Sequence, residues 1–166
     1  MAFKKKTLKQ GYFTPKFPDK YIITEKSITK GNGIRYMSGW ERMFFDFCDL
    51  NPNVLSWNSE GIQIPYISPL DNRQHTYYPD VYLEVRRADG SVEKSLVEIK
   101  PNAERMPPKE PKKKTEKSKA RYMKQCQTFL VNQAKWEQAE RFCNDNGITW
   151  KIMDEYSLGI KKQPKK

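Results

Sequence analysis

The stretch from Tyr77 to Pro101, YYPDVYLEVRRADGSVEKSLVEIKP, constrains this chain more than any other. Two runs alternate apolar and polar residues with the period of a strand, and Ala88-Asp89-Gly90-Ser91 between them has turn chemistry. The spacing predicts a hairpin with arms near 75–87 and 92–100. On the first arm Val81, Leu83 and Val85 share one face, and Asp80, Tyr82 and Glu84 the other. On the second arm Val97 and Ile99 share a face, with Leu96, Glu98 and Lys100 opposite. Glu98 and Lys100 therefore point the same way, one pleat apart.

The remaining segments surround this hairpin with helices and strands. Ser38 reads as the N-cap of a short amphipathic helix with Glu41 in its first turn. Met43, Phe44, Phe47 and Cys48 recur there at near-helical spacing, and Asn51-Pro52 should end it. Short strands are expected at 54–57 and 62–66. A proline- and lysine-rich loop follows the hairpin, and then a helix from about Lys117 to Asn144. Its apolar stripe of Met123, Cys126 and Leu130 shifts to Trp136, Ala139 and Cys143, which points to a bend or break near Asn132. Gly147 suits the helix stop, and Ile148–Met153 alternates like a last strand. Helix, three or four strands, helix, strand is an α/β (α+β) arrangement, with a mixed central sheet flanked by helices.

Charge and cysteine content narrow the partners. The 166 residues carry a net charge of +11, with 31 Lys+Arg against 20 Asp+Glu. Residues 1–20 and 101–121 each hold +5 and residues 161–166 hold +4, which leaves the body of the chain slightly acidic. Such runs are either solvated charge or flexible arms that attract phosphate, so DNA is an expected partner. No apolar run approaches the roughly 20 residues of a membrane span, and no membrane partner is expected. Cys48, Cys126 and Cys143 are odd in number and lack CxxC spacing, so they read as reduced core residues. His75 is the one histidine, which argues against a Ser-His-Asp triad or a multi-histidine zinc site.

Asp80 and Glu98-Ile99-Lys100 have two readings. One is a charge pair on a surface hairpin. The other is a site for a hard divalent cation, Mg²⁺ or Mn²⁺, which takes oxygen ligands from one or two carboxylates. In that reading Asp80 and Glu98 hold metal, the Ile99 carbonyl adds a ligand, and Lys100 holds an attacking water or a phosphate. Glu41 on the neighbouring helix completes or orients the shell.

Pro79-Asp80 followed by Glu98-Ile99-Lys100, in an αβββαβ order spanning roughly 38–154, resembles the PD-(D/E)xK nuclease superfamily in its TnsA-like branch. The stretch SGWERMFFDFCDLNPNVLSWNSEGIQIPY resembles the head-completion nucleases of large contractile-tailed bacteriophages, with their Ser-x-Trp-Glu helix before an Asn-Pro-x-Val…Trp strand. The resemblance implies a restriction-endonuclease-like fold and a Mg²⁺- or Mn²⁺-dependent deoxyribonuclease, endonuclease and also exonuclease, with little sequence specificity. It implies that Glu41, Asp80 and Glu98 carry metal and that Lys100 is the catalytic lysine. It further implies work late in head assembly beside head and portal-neck proteins, in the virion and in the host cytoplasm. The alternatives are a non-catalytic DNA-binding virion structural protein and an endonuclease subunit of a transposition or restriction system. The expected organisation is a basic, partly extended arm over 1–37, a nuclease domain over 38–156 with a basic loop at 101–116, and a basic tail over 157–166. Lys112, Lys113, Lys114, Lys117 and Lys119 are the expected DNA-backbone contacts.

Overall fold

A computed structural model describes residues 10–25 and 33–165 of the chain. The lysines at 4–9, and Lys30, Gly31 and Asn32, lie outside the described residues. In chain order the elements are β1 (Gly11–Phe13), β2 (Ile34–Tyr36), α1 (Gly39–Leu50), β3 (Val54–Ser59), β4 (Ile64–Ile67), β5 (Gln74–Tyr77), β6 (Val81–Arg86), β7 (Val92–Ile99), α2 (Glu116–Asn146) and β8 (Thr149–Met153). Short 3₁₀ turns lie at Pro18–Lys20 and Asn102–Arg105.

The central sheet has the strand order β3-β6-β7-β8. β8 runs parallel to β7 and the other pairs are antiparallel, so the sheet is mixed as expected. One sheet face presents Val81, Leu83, Val97 and Ile99 to Phe44, Phe45 and Cys48 of α1. Trp57 is fully buried at the middle of this layer, with Phe13, Tyr21 and Phe45 rings 5.9, 4.9 and 5.3 Å away. Burying each such side chain is worth about 2 kcal/mol. The opposite face presents Leu96, which packs with Tyr77 and with Trp136, Ala139 and Cys143 of α2. All three cysteines are free.

The helix ends follow local chemistry. Ser38 caps α1 by accepting the Glu41 N–H at 3.2 Å. Thr115 and Ser118 form a reciprocal capping box at the start of α2. Gly147 closes α2 with φ of 66°, a left-handed conformation that costs glycine nothing.

Four features differ from the sequence expectation. The predicted first arm near 75–87 is two strands: β5 pairs with β4 in a separate ribbon, and β6 enters the central sheet. Pro79 lies at the break, where its missing N–H cannot serve a ladder. The segment before α1 reads as an arm, yet β1 and β2 pair and bury Phe13, Ile34 and Tyr36 in the core. It is tied down further: the Lys16 and Phe17 N–H groups donate to buried Asp49, and Lys20 Nζ donates to the Asp49 and Asn51 carbonyls at the end of α1.

The third difference is in the helical stripes. Met43 and Phe47 are exposed while Phe45 is buried, because α1 turns Phe45 toward Trp57. Met123 and Leu130 are also exposed, since the burial of α2 is concentrated at Asn132, Trp136, Ala139 and Cys143. Fourth, α2 is continuous helix through Asn132, so there is no break there; the shift of stripe marks where sheet cover begins.

Candidate active site

The β6–β7 register pairs Val81 with Val97, so its next step puts Asp80 opposite Glu98 at the end of the sheet. Both lie on the α2 face. Asp80, next to the Pro79 break, accepts the Glu60 N–H with its backbone carbonyl at 3.0 Å and the Ile99 N–H with Oδ2 at 2.7 Å. Glu98 is buried, and its Oε2 accepts the Tyr77 hydroxyl at 2.6 Å. Burial and the adjacent Glu98 keep that phenol protonated, so Tyr77 is a fixed donor. Lys100 Nζ lies 3.8 Å from Glu98 Oε1 and 3.9 Å from Glu104 Oε2.

The electrostatics are those of crowded acids. Burial raises the Asp80 carboxyl well above the ordinary range, and the charges of Glu98 and Glu41 push it further; the Ile99 N–H and Lys100 oppose this. Glu98 is raised by burial, against the pull of the Tyr77 hydrogen bond, Lys100 and Lys135. Glu41 is raised by burial and by the nearby charge of Glu60. Three carboxylates thus share one region, partly offset by Lys100 and Lys135.

Glu41 is committed locally. Its Oε2 accepts the Met37 N–H at 2.8 Å and its Oε1 lies 3.4 Å from the Ser38 hydroxyl. Among the described residues no three Asp, Glu, His or Cys side chains converge closely enough to enclose a cation. The donor chemistry of Asp80 and Glu98 nonetheless fits a hard divalent ion, because a buried, mutually repelling carboxylate pair is what such a charge relieves.

Two neighbours escaped the sequence reading. Tyr77 adjoins the Tyr78-Pro79-Asp80 motif, and that proximity was the available signal. Lys135 comes from α2, 5.5 Å from the Tyr77 ring centroid and 5.7 Å from that of Tyr66. Burial lowers its pKa and Glu98 opposes that shift. Nothing in the sequence distinguished Lys135 from an exposed helical lysine.

Lys112, Lys113, Lys114, Lys117 and Lys119 are exposed around the start of α2, and Lys117 is about 27 Å along the helix from Lys135. Lys114 and Lys119 make loose surface pairs with Glu110 and Glu116 at 3.9 and 3.6 Å.

An acid pair opposed across antiparallel strands, with a lysine one pleat on, in a mixed sheet between two helices, is the arrangement of restriction-endonuclease-like nucleases. Residues 51–155 match the family model of the TnsA-like endonuclease N-terminal domain, and the chain belongs to that family. The match contains Asp80, Glu98 and Lys100 and begins after Glu41. The chain is also 34% identical over 148 residues to the head completion nuclease of Enterobacteria phage T4, covering 89% of this chain and 92% of that protein. Among the described residues no helix is long and apolar enough to cross a membrane.

Proposed function

We propose that this chain is a divalent-metal-dependent deoxyribonuclease of phage head completion, with a nuclease domain over 38–156 whose core the β1–β2 ribbon completes and with a basic tail after it. The observation that carries the metal reading is the Asp80–Glu98 pair, raised by burial and mutual repulsion on adjoining strands. Asp80 and Glu98 would hold Mg²⁺ or Mn²⁺, with the Ile99 carbonyl as a further oxygen donor. Such an ion, when bound, acidifies water and neutralises charge on a phosphate.

The chain's own groups do the positioning. Tyr77 holds Glu98 in one orientation, and the Ile99 N–H holds Asp80. Lys100, beside Glu98, keeps its ammonium where an attacking water or the scissile phosphate would sit. Lys135 adds a second positive charge from α2. Lys112, Lys113, Lys114, Lys117 and Lys119 attract the DNA backbone without reading bases, so cleavage selects DNA structure rather than sequence. The name of the T4 relative supports a role in head completion. The setting proposed with it is the filled phage head, with head and portal-neck proteins as partners, in the virion and in the host cytoplasm during assembly.

Glu41 is read as the residue that completes or orients the metal shell. Its hydrogen bonds to Met37 and Ser38 favour the orienting role.

The experiment is incubation of purified protein with linear and circular DNA in Mg²⁺, Mn²⁺ or EDTA. We expect circular DNA to be nicked or linearised with either metal and to stay intact in EDTA. Cleavage in EDTA would remove the metal reading, and no cleavage with any divalent ion would remove the enzymatic one. Shortening of linear DNA from its ends tests the exonuclease activity.

A further inference from the structure

Next to the acid pair lies a groove of about 810 Å³ that the roles above leave unused. One wall is the segment after Lys100, with Met106, Pro107 and Pro108 facing the groove. The other is the first half of α2, which contributes Arg121, Lys124, Gln125, Phe129 and Asn132.

One end of the groove lies beside Lys100. Glu104, in its lining, is 3.9 Å from Lys100. Asn132, at the other end of the helical wall, precedes Lys135 by three residues. Positions 121, 125, 128, 132 and 135 recur at steps of three and four, so they form one stripe along α2 about 21 Å long.

The first wall is anchored. Arg105 donates to buried Asp154 at 2.9 Å, and the Asn102 N–H donates to Glu155 at 2.9 Å. Both ties reach the chain just past β8, so this proline segment is held against the body rather than hanging free.

The lining combines two chemistries. Met106, Pro107, Pro108 and Phe129 offer apolar and aromatic surface, and Met106 is 58% exposed. That surface suits the faces of unpaired bases, which a duplex hides within its stack. Arg121 and Lys124 suit the phosphates between those bases. Asn132 is buried, and among the described residues no hydrogen bond engages its side-chain amide. It is placed to meet a polar edge of the occupant.

We propose that this groove holds a short unpaired DNA strand running to the scissile phosphate, so that the protein prefers DNA with a single-stranded tail or branch at the cut. The proposal rests on the nuclease reading.

The test uses the full chain in EDTA, with binding followed by fluorescence anisotropy. The probes are a blunt duplex of about twenty base pairs and the same duplex with an unpaired tail of about six nucleotides, on either strand. The tailed duplex should bind at least about tenfold more tightly than the blunt one. Phe129→Ala should remove most of that preference and leave blunt-duplex affinity unchanged, while Phe129→Leu keeps the apolar volume and controls for folding. Arg121→Gln with Lys124→Gln should lower the log–log salt slope for the tailed probe by about two. Equal binding of tailed and blunt DNA overturns the proposal, as does an equal loss on both probes in Phe129→Ala. Plasmid cleavage in Mg²⁺ is scored separately. Cleavage without tail preference sinks the groove alone, whereas tail preference without cleavage sinks the nuclease reading alone.

Discussion

The two faces of the β6–β7 hairpin are built from alternating residues of the same strands, yet they do opposite things. The face toward α1 is apolar: Val81, Leu83, Val97 and Ile99 close on Trp57 and Phe45. The face toward α2 places Asp80 and Glu98 among Leu96, Tyr77 and Trp136. The first face stabilises the fold. The second carries acids whose ionisation burial and mutual repulsion oppose. A rigid apolar layer behind the strands lets them hold unfavourable charges in front.

The largest effect that would break this comparison is loss of cleavage without loss of fold. Asp80→Asn or Glu98→Gln should slow single-turnover cleavage at least about a thousandfold. In EDTA the thermal midpoint of either variant should stay level or rise, because a strained charge is gone. A clear drop in that midpoint would mean the acid pair holds the fold together.

The converse variant tests the other face. Trp57→Ala should destabilise the protein by about 3–5 kcal/mol, read from urea unfolding, through lost burial and the cavity left behind. A loss below about 1 kcal/mol would show that the α1 face is not the stabilising layer.

A smaller effect is expected where the faces are tuned rather than deleted. Tyr77→Phe removes the 2.6 Å hydrogen bond to Glu98 and keeps the ring. Cleavage should slow about tenfold with DNA affinity unchanged. An unchanged rate would show that Glu98 needs no such support.

The smallest effect is on pH dependence. Asp80 and Glu98 have folded-state pKa values above their unfolded ones, so the folded protein binds more protons there. Their contribution is fully favourable below the unfolded values near 4 and is lost as pH rises through the raised folded values. Without metal, wild type should therefore melt a few degrees below the Asp80→Asn/Glu98→Gln double variant at about pH 8, and the gap should close toward about pH 4. Excess Mg²⁺ should restore wild-type stability selectively. A gap that widens on acidification would reverse the assignment.

The elements legible in the sequence were those with local causes. The Ser38 cap, the Gly147 stop, the β6–β7 turn and the alternation of Val81 and Leu83 with Asp80 and Tyr82 depend on near neighbours in the chain. So does the one-pleat spacing of Glu98 and Lys100, and the mixed sheet followed from the order of such elements. Pro79 was visible, but its effect as the point where the chain changes sheets was not, because that depends on what β4 pairs with. The pairing of residues 11–13 with 34–36 was equally hidden, since two three-residue strands carry almost no periodic signal.

What the sequence by itself determined is the alternating hairpin that aims Asp80, Glu98 and Lys100 to one side, and the helices able to cover it. Only the tertiary structure decided what meets those acids. It brought Tyr77 from the neighbouring ribbon to Glu98, laid Lys135 beside the pair from far along the chain, and turned Met123 and Leu130 outward. The physical reason is that a period of two or 3.6 is written in adjacent residues, whereas contact between distant groups depends on where whole helices and strands come to rest.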